Sequence, residues 1–205
     1  MRLDICVGGS GGQGVLLFST AIIHAAVQEG KRAMCLPSYG AEARGGEVSS
    51  FVIFSDSPIL SPFAENVDYL VFFNSGSFVK FREHIKPGVT LLYDAAEGPR
   101  EPLPEGSRLI AVPLAELVRE LDRRCENMAM LGVFVQLAGI LDPGELAVAF
   151  RQAYKGKGQS FLDMNLRAIE AGRAWAAAQG LRPAETGPAG AGLAGARLAG
   201  PEASR

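Results

Sequence analysis

The chain has 205 residues, of which 48% are hydrophobic, and this size and composition predict one folded domain with a full core. A formal net charge of −2 offers no basic footprint, so we expect no nucleic acid and no membrane surface among its partners. The sequence shows neither an apolar stretch long enough to cross a bilayer nor a signal-peptide layout, and we expect a cytoplasmic protein.

Strand and helix patterns alternate along the first half of the chain. The apolar run Leu3–Val7 predicts a buried strand, and after a glycine-rich loop Val15–Glu29 has helical spacing that stops at Gly30. A short helix is predicted at Ser77–His84, ending near Pro87-Gly88. Further strands are predicted at Ala33–Leu36, Glu47–Ser55, Val67–Asn74, Val89–Asp94 and Leu109–Val112.

The last third of the domain is predicted to be helical, with helices at Leu114–Arg123, Met128–Leu141, Pro143–Tyr154 and Phe161–Gln179. Together these patterns predict an α/β, Rossmann-like fold: a mostly parallel sheet flanked by helices, with a helical C-terminal third. We expect residues 1–180 to form a single domain. Residues 181–205 are dominated by Ala, Gly and Pro, and we expect a disordered tail.

The cysteines and histidines do not have the spacing of a metal site. Cys6, Cys35 and Cys125 are scattered, no Cys-x-x-Cys occurs, and buried small hydrophobes are the favoured interpretation. His24 and His84 both lie in predicted helices. We therefore predict no metal ligand in this chain, and no iron–sulfur cluster built from this chain alone.

The first glycine-rich loop follows the first strand directly. Gly9, Gly11 and Gly14 match the pattern G-x-G-x-x-G between a strand and a helix. Glycines allow close backbone approach to an anion, and the N-terminus of the following helix offers free N–H groups. Two interpretations stay open, namely a phosphate or carboxylate site and a tight turn that needs glycine for packing only. Gln13 adds an amide that both donates and accepts, as a loop facing a mixed polar surface requires.

An ordinary nicotinamide-binding enzyme needs an acidic residue at the end of the second strand to hold the ribose hydroxyls. Residues 34–36 occupy that position and include no Asp or Glu. A stand-alone Rossmann-type nucleotide-binding oxidoreductase is therefore kept only as an alternative. It predicts nucleotide binding by the isolated chain.

A second loop, Tyr39-Gly40-Ala41-Glu42-Ala43-Arg44-Gly45-Gly46, follows the second strand. It places an aromatic, an acid and a base among three glycines. A plain surface loop with a weak Glu42–Arg44 ion pair is one interpretation. The pairing of this loop with Gly11-Gly12-Gln13-Gly14 favours a functional one.

Together the two loops resemble the γ subunit of the 2-oxoacid:ferredoxin oxidoreductases, and the resemblance covers nearly all of residues 1–180. It extends to Ser55-Asp56, Pro58-Ile59, Asp68, Asn74, Asn127-Met128 and Leu131-Gly132. The run Pro37–Gly46 looks closest to the 2-oxoglutarate branch of that family.

The resemblance implies a subunit of an enzyme that oxidatively decarboxylates a 2-oxoacid, passes the acyl group to coenzyme A and reduces ferredoxin. It implies thiamine diphosphate and Mg between partner subunits α and β, and iron–sulfur clusters in β or in a small δ subunit. This chain would not be active alone, and we assign it no catalytic residue. A non-catalytic assembly module is a further alternative.

Both loops are predicted to face the partner subunits and to help form the channel for coenzyme A. Arg44 would pair with phosphate, Glu42 would orient it, and Tyr39 would stack on a ring or seal an interface. Subunit docking is an equally open role for the same residues. The predicted binding residues are Gly9, Gly11, Gly12, Gln13, Gly14, Tyr39, Glu42, Arg44, Gly45 and Gly46.

Overall fold

The computed structural model describes residues 2–40, 46–61, 66–99 and 102–183. In these ranges the strands are β1 (Arg2–Ser10), β2 (Arg32–Tyr39), β3 (Glu47–Ser55), β4 (Val67–Phe72), β5 (Ile85–Asp94) and β6 (Arg108–Val112). The helices are α1 (Val15–Gln28), α2 (Ser75–Phe81), α3 (Leu114–Leu117), α4 (Glu126–Ala138), α5 (Pro143–Ala153) and α6 (Gln159–Ala178). Short 3-10 turns lie at Arg82–His84, Arg123–Cys125 and Lys155–Lys157.

The six strands form one sheet in the order β2-β3-β1-β4-β5-β6. Strands β1, β4, β5 and β6 pair in parallel, whereas β3 runs antiparallel to both β1 and β2. The predicted α/β fold with a mostly parallel sheet is therefore confirmed. Because β3 runs the opposite way, its first residues lie beside the last residues of β1 and β2. We call this side of the sheet the carboxyl edge.

Most helices cover one face of the sheet. Phe18 of α1 packs against Phe134 of α4 with ring centroids 5.8 Å apart, and Phe150 of α5 and Ile169 of α6 belong to the same core. The opposite face has its own smaller cluster, in which Phe78 of α2 is buried among apolar strand residues. The two clusters follow from the alternation of side chains along each strand.

Helices α4 and α6 cross in close backbone contact. A Cβ atom at Gly132 would overlap the carbonyl oxygen of Ile169, and one at Gly172 would overlap that of Ala129. Each glycine thus faces the backbone of the other helix. The missing side chains bring the two helices closer together than any larger residue would allow.

Two element boundaries differ from the predictions around β4 and β5. Strand β4 ends at Phe72 because the side chain of Asn74 caps α2, accepting a hydrogen bond of 2.9 Å from the N–H of Ser77. Strand β5 begins at Ile85, so the predicted break at Pro87-Gly88 lies inside the strand. The register jumps there, since Val67 pairs with Ile85 and Tyr69 already pairs with Thr90.

The predicted helix over 114–123 is wrong beyond Leu117, where α3 ends. A separate 3-10 turn follows at Arg123–Cys125, and Asp122 caps it by accepting a hydrogen bond of 2.8 Å from the N–H of Arg124. Apolar spacing alone did not reveal this break because an aspartate that caps a new turn interrupts the helix without interrupting the hydrophobic pattern.

Leu181, assigned to the tail from the sequence, packs in the core and donates its N–H to the carbonyl of Ala176 at 2.9 Å. Residues 184–205 lie outside the described residues. Among the helices that the structure describes, none is both long and apolar enough to span a bilayer.

Candidate functional site

The two glycine-rich loops touch at the carboxyl edge. The N–H of Gly11 donates a 2.8 Å hydrogen bond to the carbonyl of Gly46, and Ser10 pairs with Glu47 in the sheet. At the other end of the second loop, the N–H of Gly40 donates to the carbonyl of Glu47 at 2.7 Å. The first loop and the base of the second therefore lie side by side.

Three of the predicted site residues, Glu42, Arg44 and Gly45, lie outside the described residues. Tyr39 ends β2 with 64% of its surface exposed, so its ring is available to a ligand or to another subunit.

Both polar atoms of the Gln13 amide form hydrogen bonds within the fold. Its Oε1 accepts hydrogen bonds from the N–H of Ser10 at 2.6 Å and from Nδ2 of Asn74 at 3.0 Å. Its Nε2 donates to the carbonyl of Phe73 at 3.1 Å. The side chain predicted to meet a polar surface thus joins the first loop to the end of β4.

The glycines of the first loop have different roles. A Cβ at Gly9 would stand 2.9 Å from Cγ2 of Val15, so this glycine permits close packing. Gly14 is the N-cap of α1 with φ 76°, and a Cβ there would overlap the side chain of Asn127. Gly12 has φ 98°, and a Cβ there would meet no other atom within 4 Å, so its backbone is open. The packing interpretation therefore holds for Gly9 and Gly14.

A cavity of about 220 Å³ opens beside the first loop at the carboxyl edge. It lies between the first loop, the residue that follows β4, the end of β5, and the turn that leads into α4 together with the first residues of that helix. Its lining consists of Gly12, Gln13, Phe73, Asp94, Arg123, Arg124, Glu126 and Asn127. Two residues predicted from the sequence, Gly12 and Gln13, thus line the same cavity.

Asn127 lines this cavity and carries an unsatisfied polar atom. The residue is 2% exposed, and its Nδ2 donates to the carbonyl of Gly14 at 3.1 Å. Its Oδ1 is buried and has no hydrogen-bond partner among the described residues. A buried acceptor without a donor costs free energy, and a bound ligand with an N–H or O–H group would satisfy it.

Cations and carboxylates alternate around the cavity. Arg123 pairs with Glu126 at 3.1 Å, and Arg124 pairs with Asp122 at 2.6 Å. The hydrogen bonds from Arg124 lower the pKa of Asp122 to about 2. Both guanidinium groups are mostly exposed, so they remain able to form a second contact with an anion.

Asp94 ends β5 and is the half-buried acid of the cavity. Burial raises its pKa above the ordinary value of 3.8, and the nearby carboxylates Glu126 and Glu97 act in the same direction. The N–H of Ala96 and the charge of Arg123 act in the opposite direction. The carboxyl group lines the cavity together with Asn127, so both residues bring oxygen acceptors to it.

Sequence reasoning did not assign Asp94, Arg123 or Arg124 to the site. For Asp94 a signal was available, because an acid at the end of a predicted strand of a parallel sheet reaches the carboxyl edge. For Arg123 the signal was hidden by the incorrect helix over 114–123, and Arg124 follows the end of that helix directly. In the described ranges, no group of three or more His, Cys, Asp or Glu is placed to hold a metal ion.

Comparison with protein families gives a match over most of the chain. The family described as pyruvate ferredoxin/flavodoxin oxidoreductase matches residues 4–175. A curated relative, the ketoisovalerate oxidoreductase subunit VorA of Methanothermobacter marburgensis, is 38% identical over 178 residues. That alignment covers 85% of this chain and 37% of VorA, so this chain spans little more than a third of that relative's length.

Two solved structures share the fold. The 2-oxoglutarate:ferredoxin oxidoreductase from Magnetococcus marinus, with 2-oxoglutarate, coenzyme A and succinyl-CoA bound, aligns with a TM-score of 0.78 and 27% identity. The alignment covers 89% of this chain and 33% of that one. The γ subunit of a keto/oxoacid ferredoxin oxidoreductase from Geobacter sulfurreducens aligns with a TM-score of 0.72 and 27% identity, covering 86% of this chain and 99% of that subunit.

Proposed function

Because the chain belongs to the pyruvate ferredoxin/flavodoxin oxidoreductase family, we propose that it is the γ subunit of a 2-oxoacid:ferredoxin oxidoreductase complex. The complex would oxidatively decarboxylate a 2-oxoacid, transfer the acyl group to coenzyme A and reduce ferredoxin. Coverage of almost the whole Geobacter γ subunit supports this assignment. In this proposal residues 1–180 act as one domain, the tail is an extension, and the complex is cytoplasmic.

The proposed substrate is 2-oxoglutarate. The run Pro37–Gly46 resembles that branch, and the Magnetococcus structure is of a 2-oxoglutarate enzyme. The relative with 38% identity is named for ketoisovalerate, so a branched 2-oxoacid is the competing substrate. The two differ chemically, because 2-oxoglutarate has a second carboxylate and ketoisovalerate has a branched alkyl group.

The role proposed for this subunit is to hold coenzyme A at the carboxyl edge, and the observation that carries it is the composition of the cavity. Coenzyme A bears phosphates together with amino and hydroxyl donors. The open backbone of Gly12 and the guanidinium groups of Arg123 and Arg124 suit the phosphates. Asp94 and the unpaired Oδ1 of Asn127 suit the donors.

The same proposal gives the second loop a supporting role. Arg44 would pair with a phosphate, Glu42 would orient that guanidinium, and Tyr39 would stack on a ring or on a partner subunit. Gly45 and Gly46 would let the loop backbone approach the ligand. The bond between Gly11 and Gly46 supports joint action of the two loops, since it fixes the base of one against the other.

The redox and carbanion chemistry would come from partner subunits. We assign thiamine diphosphate and Mg to the α and β subunits, and the iron–sulfur clusters to β or a δ subunit. Ferredoxin would accept the electrons. Thiamine diphosphate supplies carbanion stabilisation when it is bound. This chain would hold and orient coenzyme A only, and by itself it would turn over no substrate.

The test is reconstitution of the complex. A tagged copy of this chain, expressed with the neighbouring genes of its own genome, should retain α- and β-type subunits during purification. The complex should reduce viologen only when both a 2-oxoacid and coenzyme A are present. The 2-oxoglutarate proposal requires a kcat/KM for 2-oxoglutarate at least about tenfold above that for ketoisovalerate or pyruvate.

Two alternatives have distinct outcomes. A stand-alone nucleotide-binding oxidoreductase would show a raised melting temperature of the isolated chain with nicotinamide or flavin nucleotides, because a ligand well above its Kd must stabilise the fold. A pure assembly module would retain its partners, yet Arg44→Ala and Asn127→Leu would leave the KM for coenzyme A unchanged. Either result would remove the proposed role.

A further inference from the structure

We propose that Gln13 and Asn74 form a positioning pair that holds the first glycine-rich loop in its ligand-binding conformation. The inference rests on the proposed function, since the ligand whose binding reports on it is coenzyme A. Neither side chain needs to touch the ligand through its amide. The pair acts through the backbone of the loop, in which Gly12 and Gln13 line the cavity and Gly14 caps α1.

The orientation of the Gln13 amide is determined by two backbone groups. Its Oε1 accepts from the N–H of Ser10, and its Nε2 donates to the carbonyl of Phe73. A flipped amide would place N–H against N–H at Ser10 and oxygen against oxygen at Phe73. The oxygen must therefore face Asn74, and it needs a donor there.

The orientation of the Asn74 amide is determined independently by α2. Its Oδ1 accepts from both the N–H and the hydroxyl of Ser77, at 2.9 and 3.1 Å, because Asn74 caps that helix. Its Nδ2 is then free to donate to Oε1 of Gln13 and to the hydroxyl of Ser10, both at 3.0 Å. The two amides are therefore complementary, because Nδ2 of Asn74 donates and Oε1 of Gln13 accepts.

These bonds close a ring around the carboxyl edge. From Asn74 the ring continues through α2 to Lys80, whose ammonium pairs with Glu47 at 3.0 Å. Glu47 follows Gly46, and the carbonyl of Gly46 returns the ring to the first loop at Gly11. The Gln13–Asn74 bond and the Lys80–Glu47 ion pair are the two parts of this ring that side chains make with each other.

Fixing the loop matters because the N–H groups at the start of α1 bind an anion only when they converge on one point. With the pair intact, the loop is already ordered before the ligand binds. Without it, the loop must be ordered by coenzyme A itself. We expect a raised KM for coenzyme A with an unchanged kcat at saturation. This result is expected when binding of the ground state and of the transition state is weakened equally.

The variant Asn74→Ser tests the pair within the reconstituted complex. Serine is a good helix N-cap, so α2 keeps its first turn, but the donor to Gln13 is lost. We expect the KM for coenzyme A to rise about fivefold, corresponding to one hydrogen bond, with kcat changed less than about twofold. Asn74→Asp should raise the KM for coenzyme A further, because a carboxylate oxygen would then face Oε1 of Gln13.

The matched control is Asn165→Ser. Asn165 is a buried asparagine, whereas Asn74 is half-buried, and Nδ2 of Asn165 donates to the carbonyl of Phe161 at 2.7 Å within α6, away from the cavity. It should lower the melting temperature without raising the KM. Hydrogen exchange of the peptide covering residues 8–14 should accelerate in Asn74→Ser and not in Asn165→Ser.

An unchanged KM and unchanged exchange in both Asn74 variants would overturn the inference while leaving the proposed function intact. An equal rise in KM for Asn165→Ser would also overturn it, because the effect would then follow stability alone. Absence of coenzyme A dependence in the wild-type complex would instead remove the proposed function. The outcomes are therefore distinguishable.

Discussion

The side chain of Asn127 donates a 3.1 Å hydrogen bond to the carbonyl oxygen of Gly14, which precedes it by 113 positions. The bond joins the first turn of α4 to the N-cap of α1. Gly14 accepts it while its backbone is left-handed, with φ 76°. The loop that supplies the N-terminus of α1 is thus anchored by a residue from the other end of the fold.

Replacing Gly14 by alanine should destabilise the protein by about 3 kcal/mol or more. The cost combines a left-handed non-glycine backbone with overlap between the new Cβ and Asn127. Urea unfolding of the two proteins measures it. Gly30→Ala is the control, since Gly30 has φ 70° and no neighbour within 4 Å, and it should lose only about 1 kcal/mol. Equal losses would show that Asn127 does not restrict this position.

Replacing Asn127 by leucine should separate stability from ligand binding. The change removes the unpaired Oδ1 together with the bond to Gly14, whose carbonyl still accepts the N–H of Phe18 at 3.0 Å. The free energy of unfolding should therefore change by less than about 1 kcal/mol. In the reconstituted complex the KM for coenzyme A should rise about tenfold, because a buried ligand contact is lost.

Asn127→Asp is the companion of that variant. It keeps the shape of asparagine but removes the donor to Gly14 and buries a carboxyl group, so it should destabilise the fold by about 2 kcal/mol or more. Thermal unfolding of both variants tests whether Asn127→Leu is more stable than Asn127→Asp. A leucine variant less stable than the aspartate variant would contradict this account of the buried oxygen.

Asp94→Asn should change how stability depends on pH. Burial raises the folded-state pKa of Asp94 above its ordinary value of 3.8, so the native protein takes up this proton more readily than the unfolded chain. The resulting contribution to stability is complete below pH 3.8 and is lost as pH rises through the raised pKa. Relative to wild type, Asp94→Asn should therefore gain stability as pH rises from about 3 toward neutral.

Asp163 provides the control with the opposite sign. Hydrogen bonds from Gln159 and Arg151 lower its pKa below 3.8, so its contribution is present above that pH and is lost as pH falls through the lowered pKa. Asp163→Asn should lose stability relative to wild type at neutral pH, and this loss should vanish in acid. Urea unfolding across roughly pH 3–7 measures both variants. Parallel curves for Asp94→Asn and wild type would refute the assigned shift.

Gly132→Ala should be among the most disruptive single changes in the helical layer. The added Cβ would overlap the carbonyl oxygen of Ile169 and force α4 and α6 apart, at a cost of about 3 kcal/mol. Gly156→Ala adds the same atom in open space and should be neutral or slightly stabilising. The melting temperatures of the two variants give the comparison, and a well-folded Gly132→Ala protein would show that the crossing can widen.

The hairpin between β2 and β3 shows which features of the sheet the sequence pattern predicts and which it does not. Both strands were predicted from their apolar residues, yet the direction of β3 was not. Residues 40–46 are too short to form a parallel crossover, so the antiparallel pairing was available from loop length. The position of β3 between β2 and β1 was not available, because several sheet orders satisfy the same connections.

The hydrogen-bond partners of Gln13 also show what the sequence predicts and what only the fold decides. Gln13 was singled out from the sequence, but Phe73 and Asn74, about sixty positions later, became its partners only through the pairing of β1 with β4. Asn74 was interpreted as a residue that ends a strand. It does so by capping α2, and the other half of its amide supplies the contact that links this cap to the glycine loop.

The sequence by itself determined the kind of fold and the two glycine loops, because strand and helix periods and left-handed glycines depend on neighbours within a few residues. Only the tertiary structure decided that Asp94, Arg123 and Asn127 surround Gly12 and Gln13. Their convergence depends on which strands are adjacent and in which direction each one runs. Those relationships are fixed by packing over the whole sheet, and no local stretch of the chain encodes them alone.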